Sequence, residues 1–316
     1  MAVNIVHFET GEGPRWGVLE AQCIHPIAAE IATTGELLRR SARELVAAAS
    51  GPVIELGSVT LLSPVTRNQQ FICLGANYRS HMIESGIDPD AKRFNMVFRK
   101  ASSSIVPADS ELVVPPHVQL MDYEIELGLV LRRDVTARVD VTDANLHEFV
   151  AGVTIVNDFS ARDVQIPQMQ FYKGKSYRTF GPVGPTLCLL DPAEMRHLKA
   201  LRLELTVNGE KRQSASTEEL VFGPAETLTE LSGLQDLFAG DLIATGTPSG
   251  CALRLPPPLV QRLASLLPEA TRWKLFVRGQ KGSARYLKPG DTVESRISSA
   301  EGVIDLGVQR NRVVAG

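Results

Sequence analysis

The chain is short of the features that mark several protein classes. Its 316 residues hold 4 cysteines, Cys23, Cys73, Cys188 and Cys251, with no CxxC pair among them. That spacing excludes a disulfide framework and gives no thiolate zinc or redox motif. Cys73 and Cys188 sit among apolar neighbours and read as inert core residues. No apolar run approaches the ~18 residues of a membrane span; residues 149–156 are strand-sized. Neither sign of charge dominates. The chain has 33 Lys+Arg against 36 Asp+Glu, a net of −3, so there is no electrostatic footprint for nucleic acid. Aromatics make up 6% with 2 Trp, which leaves little for stacking sugar rings. The opening MAVNIVHFETGEG has no basic start and an early Glu9, so no signal peptide is expected and the cytoplasm is the expected location. No internal repeat or low-complexity tract is visible.

What is present is a globular composition, 44% hydrophobic and 22% charged, long enough for about two units. Residues 1–66 read as a small N-terminal α/β domain. It has strands at 3–8, 16–23 and 53–62 and a helix at 36–49 between Thr33-Thr34 and Gly51. Residues 67–316 read as strand-rich. Strands are expected at 71–75, 111–114, 121–132, 150–157, 241–245 and 291–297, and a short helix at 79–86. Residues 201–207, then Asn208-Gly209, then Glu210 form the sharpest hairpin signal. An insertion at about 251–287 carries a helix opened by Pro256-Pro257-Pro258. Many short strands with Gly/Pro turns predict an α+β, mainly β fold.

Five segments could carry chemistry. In Asp122-Tyr123-Glu124-Ile125-Glu126, strand alternation puts the three carboxylates on one face. Such a face is either a wet outer surface or a cation site. A second apolar strand, 153–157, ends on Asp158, which could cap the helix that follows or join Glu124 and Glu126. Three oxygen ligands without His or Cys would select Mg²⁺, Mn²⁺ or Ca²⁺. In GANYRSHMIE, His81 and Glu84 stand at i and i+3 of the short helix, where a carboxylate can orient an imidazole base; a surface pair is the plainer alternative. Residues 173–185 form a Gly/Pro-rich loop whose lysines could stabilise an oxyanion or simply be solvated. Residues 240–250, GDLIATGTPSG, form a strand running into a hydroxyl-rich turn that lacks the phosphate-loop pattern.

Taken in order, GANYRSHMIE, DYEIEL, GVTIVNDFSARDVQ, GKSYRTFGPVGP, GDLIATGTPSG, LKPGD and NRVV resemble the fumarylacetoacetate hydrolase family, from about Pro64 to the C-terminus. The resemblance implies a mixed β-roll or barrel catalytic domain and a homodimer. It implies a Mg²⁺ or Mn²⁺ site at Glu124, Glu126 and Asp158. It implies a catalytic His81–Glu84 dyad on a mobile lid, a substrate-polarising Lys175, and substrate contacts from Tyr78, Arg162, Gln165 and Thr247. The implied activity is metal-dependent hydrolysis of a C–C bond in a diketo or acylpyruvate-type acid. Decarboxylation of an oxaloacetate-like acid, isomerisation and hydration on the same scaffold stay open. A glycosidase and a non-catalytic metal-binding protein are the readings furthest from it. Arg178 stands where many members have Asp, and Gly181 where many have Cys or another small residue; these departures bear on the substrate.

Overall fold

The computed structural model describes residues 2–254 and 258–316, with the side chains of Pro258, Leu259 and Gln261 outside the description. Among the described residues most elements are strands, in mixed sheets, and the helices lie in connections, as the turn-rich sequence predicts. In the largest sheet the strand Ile125–Leu131 is central. It pairs antiparallel with Val150–Asn157 on one side and with Leu242–Ala244 on the other. Leu242–Ala244 then pairs in parallel with Phe71–Gly75. The ladder also runs without a break into the N-terminal strands: Val150–Asn157 pairs with Leu187–Leu189, which pairs with Val3–Thr10.

A five-stranded sheet packs on one face of this one. Its strand Leu201–Val207 alternates strictly, so Leu201, Leu203, Leu205 and Val207 point inward. They share one apolar core with Leu127, Leu129, Val153 and Ile155 of the large sheet. The Asn208-Gly209 hairpin forms as expected, with φ of 51° and 79° at the two turn residues. That pair of left-handed residues matches the twist of the flanking strands, and Asn and Gly tolerate it best.

Some expected elements are cut differently. The helix over 36–49 is two helices, Thr34–Leu37 and Ala42–Ala48. Ser41 starts the second with a capping box to Glu44, an S-x-x-E signal that interrupts the apolar period. The strand over 53–62 is reduced to Ile54–Glu55 and Leu61–Leu62. The proline-led helix spans Pro258–Ala264, and Pro256 and Pro257 lie outside the described residues.

Candidate active site

Strand pairing brings the three carboxylates together. Ile125 lies opposite Asn157 and Glu126 opposite Val156. One step further along that register, the Asp158 N–H donates to the Glu124 carbonyl at 2.8 Å. Ligand oxygens of Glu124, Glu126 and Asp158 all lie within 4.8 Å of one another. The alternative of a wet outer face falls away, because Asp122, Glu124 and Glu126 are all buried; the strand expected over 121–132 is broken at Tyr123-Glu124 into Met121–Asp122 and Ile125–Leu131. Asp158 caps no helix; the next helix, Arg162–Gln168, begins after Ala161.

The carboxylates sit in a dense polar frame. Arg162 donates from Nε to Asp122 at 2.8 Å, from one terminal nitrogen to Glu124 at 2.5 Å, and from the other to Gln165 at 2.7 Å. Lys175 pairs with both Glu124 and Asp158. Lys100 donates to Asp158 Oδ1 at 2.5 Å and to the Phe180 carbonyl at 2.8 Å. Burial pushes the Glu124 carboxyl up, but Arg162 and Lys175 outweigh it and hold it well below the usual range. Glu126 goes the other way. Burial, with the charges of Asp158 and Glu124, raises its pKa well above the ordinary value. Its Oε2 accepts the Gly246 N–H at 2.8 Å, offered by a turn glycine at φ 95°.

A charge count tests the fit to a metal. Asp122, Glu124, Glu126 and Asp158 face Lys100, Arg162 and Lys175, four negative groups against three positive ones. The surplus falls on Glu126, which Lys175 reaches only through its field while it pairs directly with Glu124 and Asp158. A buried carboxylate in that position demands a cation or a proton. The donor set is all oxygen, so the residues fit a hard divalent ion of the Mg²⁺, Mn²⁺ or Ca²⁺ type.

The triad opens on a cavity of about 130 Å³. His81, Arg162, Gln165, Lys175 and Thr247 line it as well. Thr247 is fixed by Gln213, whose Nε2 donates to the Thr247 hydroxyl at 2.8 Å while its Oε1 accepts the Ile125 N–H at 3.0 Å. Lys175 was expected on an irregular loop; it ends the helix Phe171–Lys175 instead. A Cβ at Gly174 would meet the Gln165 Cβ at 2.5 Å, so glycine lets this helix press against Arg162–Gln168 and deliver Lys175 to the carboxylates.

Two expected groups sit differently. Tyr78 is fully buried in the apolar core and does not line the cavity. Its aromatic bulk fills the core beneath the helix Arg79–Glu84. His81 and Glu84 are neighbours but not bonded, with Nδ1 and Oε2 3.9 Å apart. His81 Nδ1 is buried without a partner, and burial lowers the pKa of its ring. Glu84 accepts the Gly250 N–H at 3.1 Å and pairs with Arg254.

Sequence reasoning missed Lys100, Gln213 and Arg254. Lys100 ends an otherwise ordinary strand, Met96–Lys100, and Gln213 lies on the hairpin strand Glu210–Ser216. A charged or amide residue there carries no local signal, since only the sheet stacking turns it inward.

This fold and site place the chain among enzymes of one family. The fumarylacetoacetate (FAA) hydrolase C-terminal family model matches residues 70–314, and the chain belongs to that family. It is 37% identical over 252 residues to oxaloacetate tautomerase YisK of Bacillus subtilis (strain 168), covering 76% of this chain and 81% of that protein. It is 34% identical over 312 residues to the mitochondrial oxaloacetate tautomerase FAHD2A of Homo sapiens, covering 97% and 86%. The solved fumarylacetoacetate hydrolase from psychrophilic Exiguobacterium antarcticum superposes with a TM-score of 0.73 at 31% identity, over 99% of this chain and 100% of that one. Among the described residues no helix is long and apolar enough to cross a membrane.

Proposed function

We propose that the protein is a divalent-cation-dependent enzyme that moves a proton on a small 2-oxo dicarboxylic acid of the oxaloacetate type, interconverting its keto and enol forms. One observation carries this reading. The carboxylate triad and His81 share a cavity of about 130 Å³, far below the ~300–1,000 Å³ of sites for drug-sized ligands. It suits a four-carbon acid better than a long acyl chain. The two relatives named oxaloacetate tautomerase support the same substrate class.

Glu124, Glu126 and Asp158 would hold the divalent cation, which would supply Lewis acidity to the substrate. The rest is the work of the chain. His81, kept neutral by burial, takes a proton from the carbon beside the keto group and delivers it to the resulting enolate oxygen, giving the enol; the reverse path carries it back to the carbon. Lys175 faces the oxygen that gains negative charge, and Arg162, Gln165 and Thr247 hold the acid in register. Glu84 orients His81 when the two close their 3.9 Å gap.

Hydrolysis of a C–C bond in an acylpyruvate is the second reading. The solved relative named as a hydrolase favours it, and His81 would then take its proton from water. Decarboxylation would need no such base. Metal-stripped protein reloaded with Mg²⁺ or Mn²⁺ is given oxaloacetate and an acylpyruvate, with enol absorbance and product masses followed together. Enol decay without pyruvate, lost in His81→Asn, is expected. Pyruvate plus CO₂ that survives His81→Asn would establish a decarboxylase. A carboxylic acid released from the acylpyruvate would establish the hydrolase. The reading includes a cytoplasmic homodimer, which light scattering and cell fractionation check.

A further inference from the structure

The cations around the cavity differ in what they are already holding. Arg162 is fully committed to Asp122, Glu124 and Gln165. Lys175 is shared between Glu124 and Asp158, and Lys100 is held by Asp158 and a carbonyl. Arg162 and Lys175 can meet a ligand oxygen only while still holding their buried carboxylates, and Lys100 lines no part of the cavity, so none is free to serve as the counter-charge of a second substrate carboxylate. Arg254 is different. Its neighbour Leu253 lines the cavity, its own side chain is 45% exposed, and its anionic partner is Glu84. A second guanidinium, Arg285, stands close by. It donates to the Gly250 carbonyl at 2.5 Å, and its Nε has no partner among the described residues. So two guanidinium groups and the Glu84 carboxylate stand beside the lining residue Leu253, and Glu84 is the group His81 Nδ1 lacks.

We propose that Arg254 is the specificity-determining residue of the site: it binds the substrate carboxylate remote from the keto acid, and in exchange releases Glu84 to accept a hydrogen bond from His81 Nδ1. The exchange is physically cheap. Half-exposed ion pairs contribute little, so one carboxylate can replace another at Arg254 without a large barrier. Glu84 need close only the 3.9 Å separation to reach hydrogen-bond distance. The Gly250 N–H also holds Glu84 at 3.1 Å, on the same residue whose carbonyl accepts from Arg285, so Glu84 can swing to His81 while this turn stays in place. A dicarboxylate thus completes its own base, whereas a monocarboxylate leaves Glu84 on Arg254. The inference rests on the 2-oxo diacid reading for its substrate, and its test separates the two.

Metal-loaded full-length protein, Arg254→Ala and Arg254→Lys are compared by proton NMR in D₂O, following deuterium exchange into oxaloacetate and into pyruvate. The KM ratio of oxaloacetate to pyruvate is expected to rise on the order of tenfold in Arg254→Ala, a charge-assisted hydrogen bond's worth. Arg254→Lys should recover part of it, since a point charge replaces a planar fork. Equal effects on both acids, or none on oxaloacetate, would overturn the proposal. A second readout needs no turnover: the ¹⁵N shifts of His81, with malonate and acetate as probes. Malonate should move Nδ1 towards the hydrogen-bonded position in the wild type, acetate should not, and Arg254→Ala should show that position without any ligand. Glu84→Gln should abolish all of these changes. If this pattern holds while neither keto acid exchanges, the tautomerase reading fails and the Arg254 assignment stands. If His81 ignores both malonate and Arg254→Ala, the assignment is wrong whatever the activity.

Discussion

The two sides of the cavity hold their carboxylates by opposite means. On one side, Glu124 and Asp158 lie buried and are gripped by Arg162, Lys175 and Lys100. On the other, Glu84 is held by one half-exposed arginine and one backbone N–H. The first arrangement fixes ligand oxygens within a few ångströms and cannot relax without exposing buried charge. The second can exchange partners. The difference teaches where precision and where motion are built in. The frame for a cation is over-determined, while the carboxylate that would orient the base is left poised.

The comparison breaks most visibly at Glu124. Glu124→Gln should remove divalent-ion binding, seen by calorimetry, and leave Arg162 and Lys175 short of a counter-charge. A loss of about 3–5 kcal/mol of stability is expected in thermal unfolding, the usual cost of breaking a buried pair from one side. His81→Asn should lower turnover by ~10²–10⁴-fold, the range for a general base, with little change in the unfolding temperature. Lys100→Met should weaken metal affinity by ~10–100-fold through its effect on Asp158, because Lys100 donates to Asp158 and reaches no cavity surface of its own. The smallest effect belongs to the poised side. Arg254→Ala should cost under ~1 kcal/mol of stability, and a larger loss would mean that this side is as rigid as the other.

A pH profile sharpens the same contrast. Burial lowers the His81 pKa below its ordinary 6.5. The unfolded chain therefore binds this proton more readily than the folded one. The stability contribution is full above about pH 6.5 and is lost as pH falls towards the lowered folded value. The unprotonated base should likewise persist below pH 6.5, so kcat/KM should fall on a limb more acidic than that of a free imidazole. A limb at or above the ordinary value would show that Glu84 already bonds His81 in the free protein.

The sequence made one side legible and the other half-legible. Glu-x-Glu entering a strand and Asp just past the end of another are readable because strand period and register carry them to one place. The antiparallel pairing of Ile125–Leu131 with Val150–Asn157 was the missing step, since spacing alone does not say which strands meet. His81 and Glu84 were visible as an i, i+3 pair on a helix, and that helix exists. Their separation was not visible, because Arg254 lies 170 positions from Glu84 and competes for it only in three dimensions. Tyr78 lies outside the cavity lining for a related reason: a polar-tipped aromatic beside the site motif can equally well be the plug beneath it. Lys100 and Gln213 were missed because long-range stacking, not local pattern, turns them inward.

The unbroken hydrogen-bond ladder has a consequence for anyone who trims the protein. Leu187–Leu189 takes Val3–Thr10 on one side and Val150–Asn157 on the other. A shortened chain starting near residue 67 would bare Leu187, Cys188 and Leu189 as a sheet margin without a neighbour, apolar and ready to pair with the same margin of another molecule. Such a fragment would clump before its chemistry could be assayed.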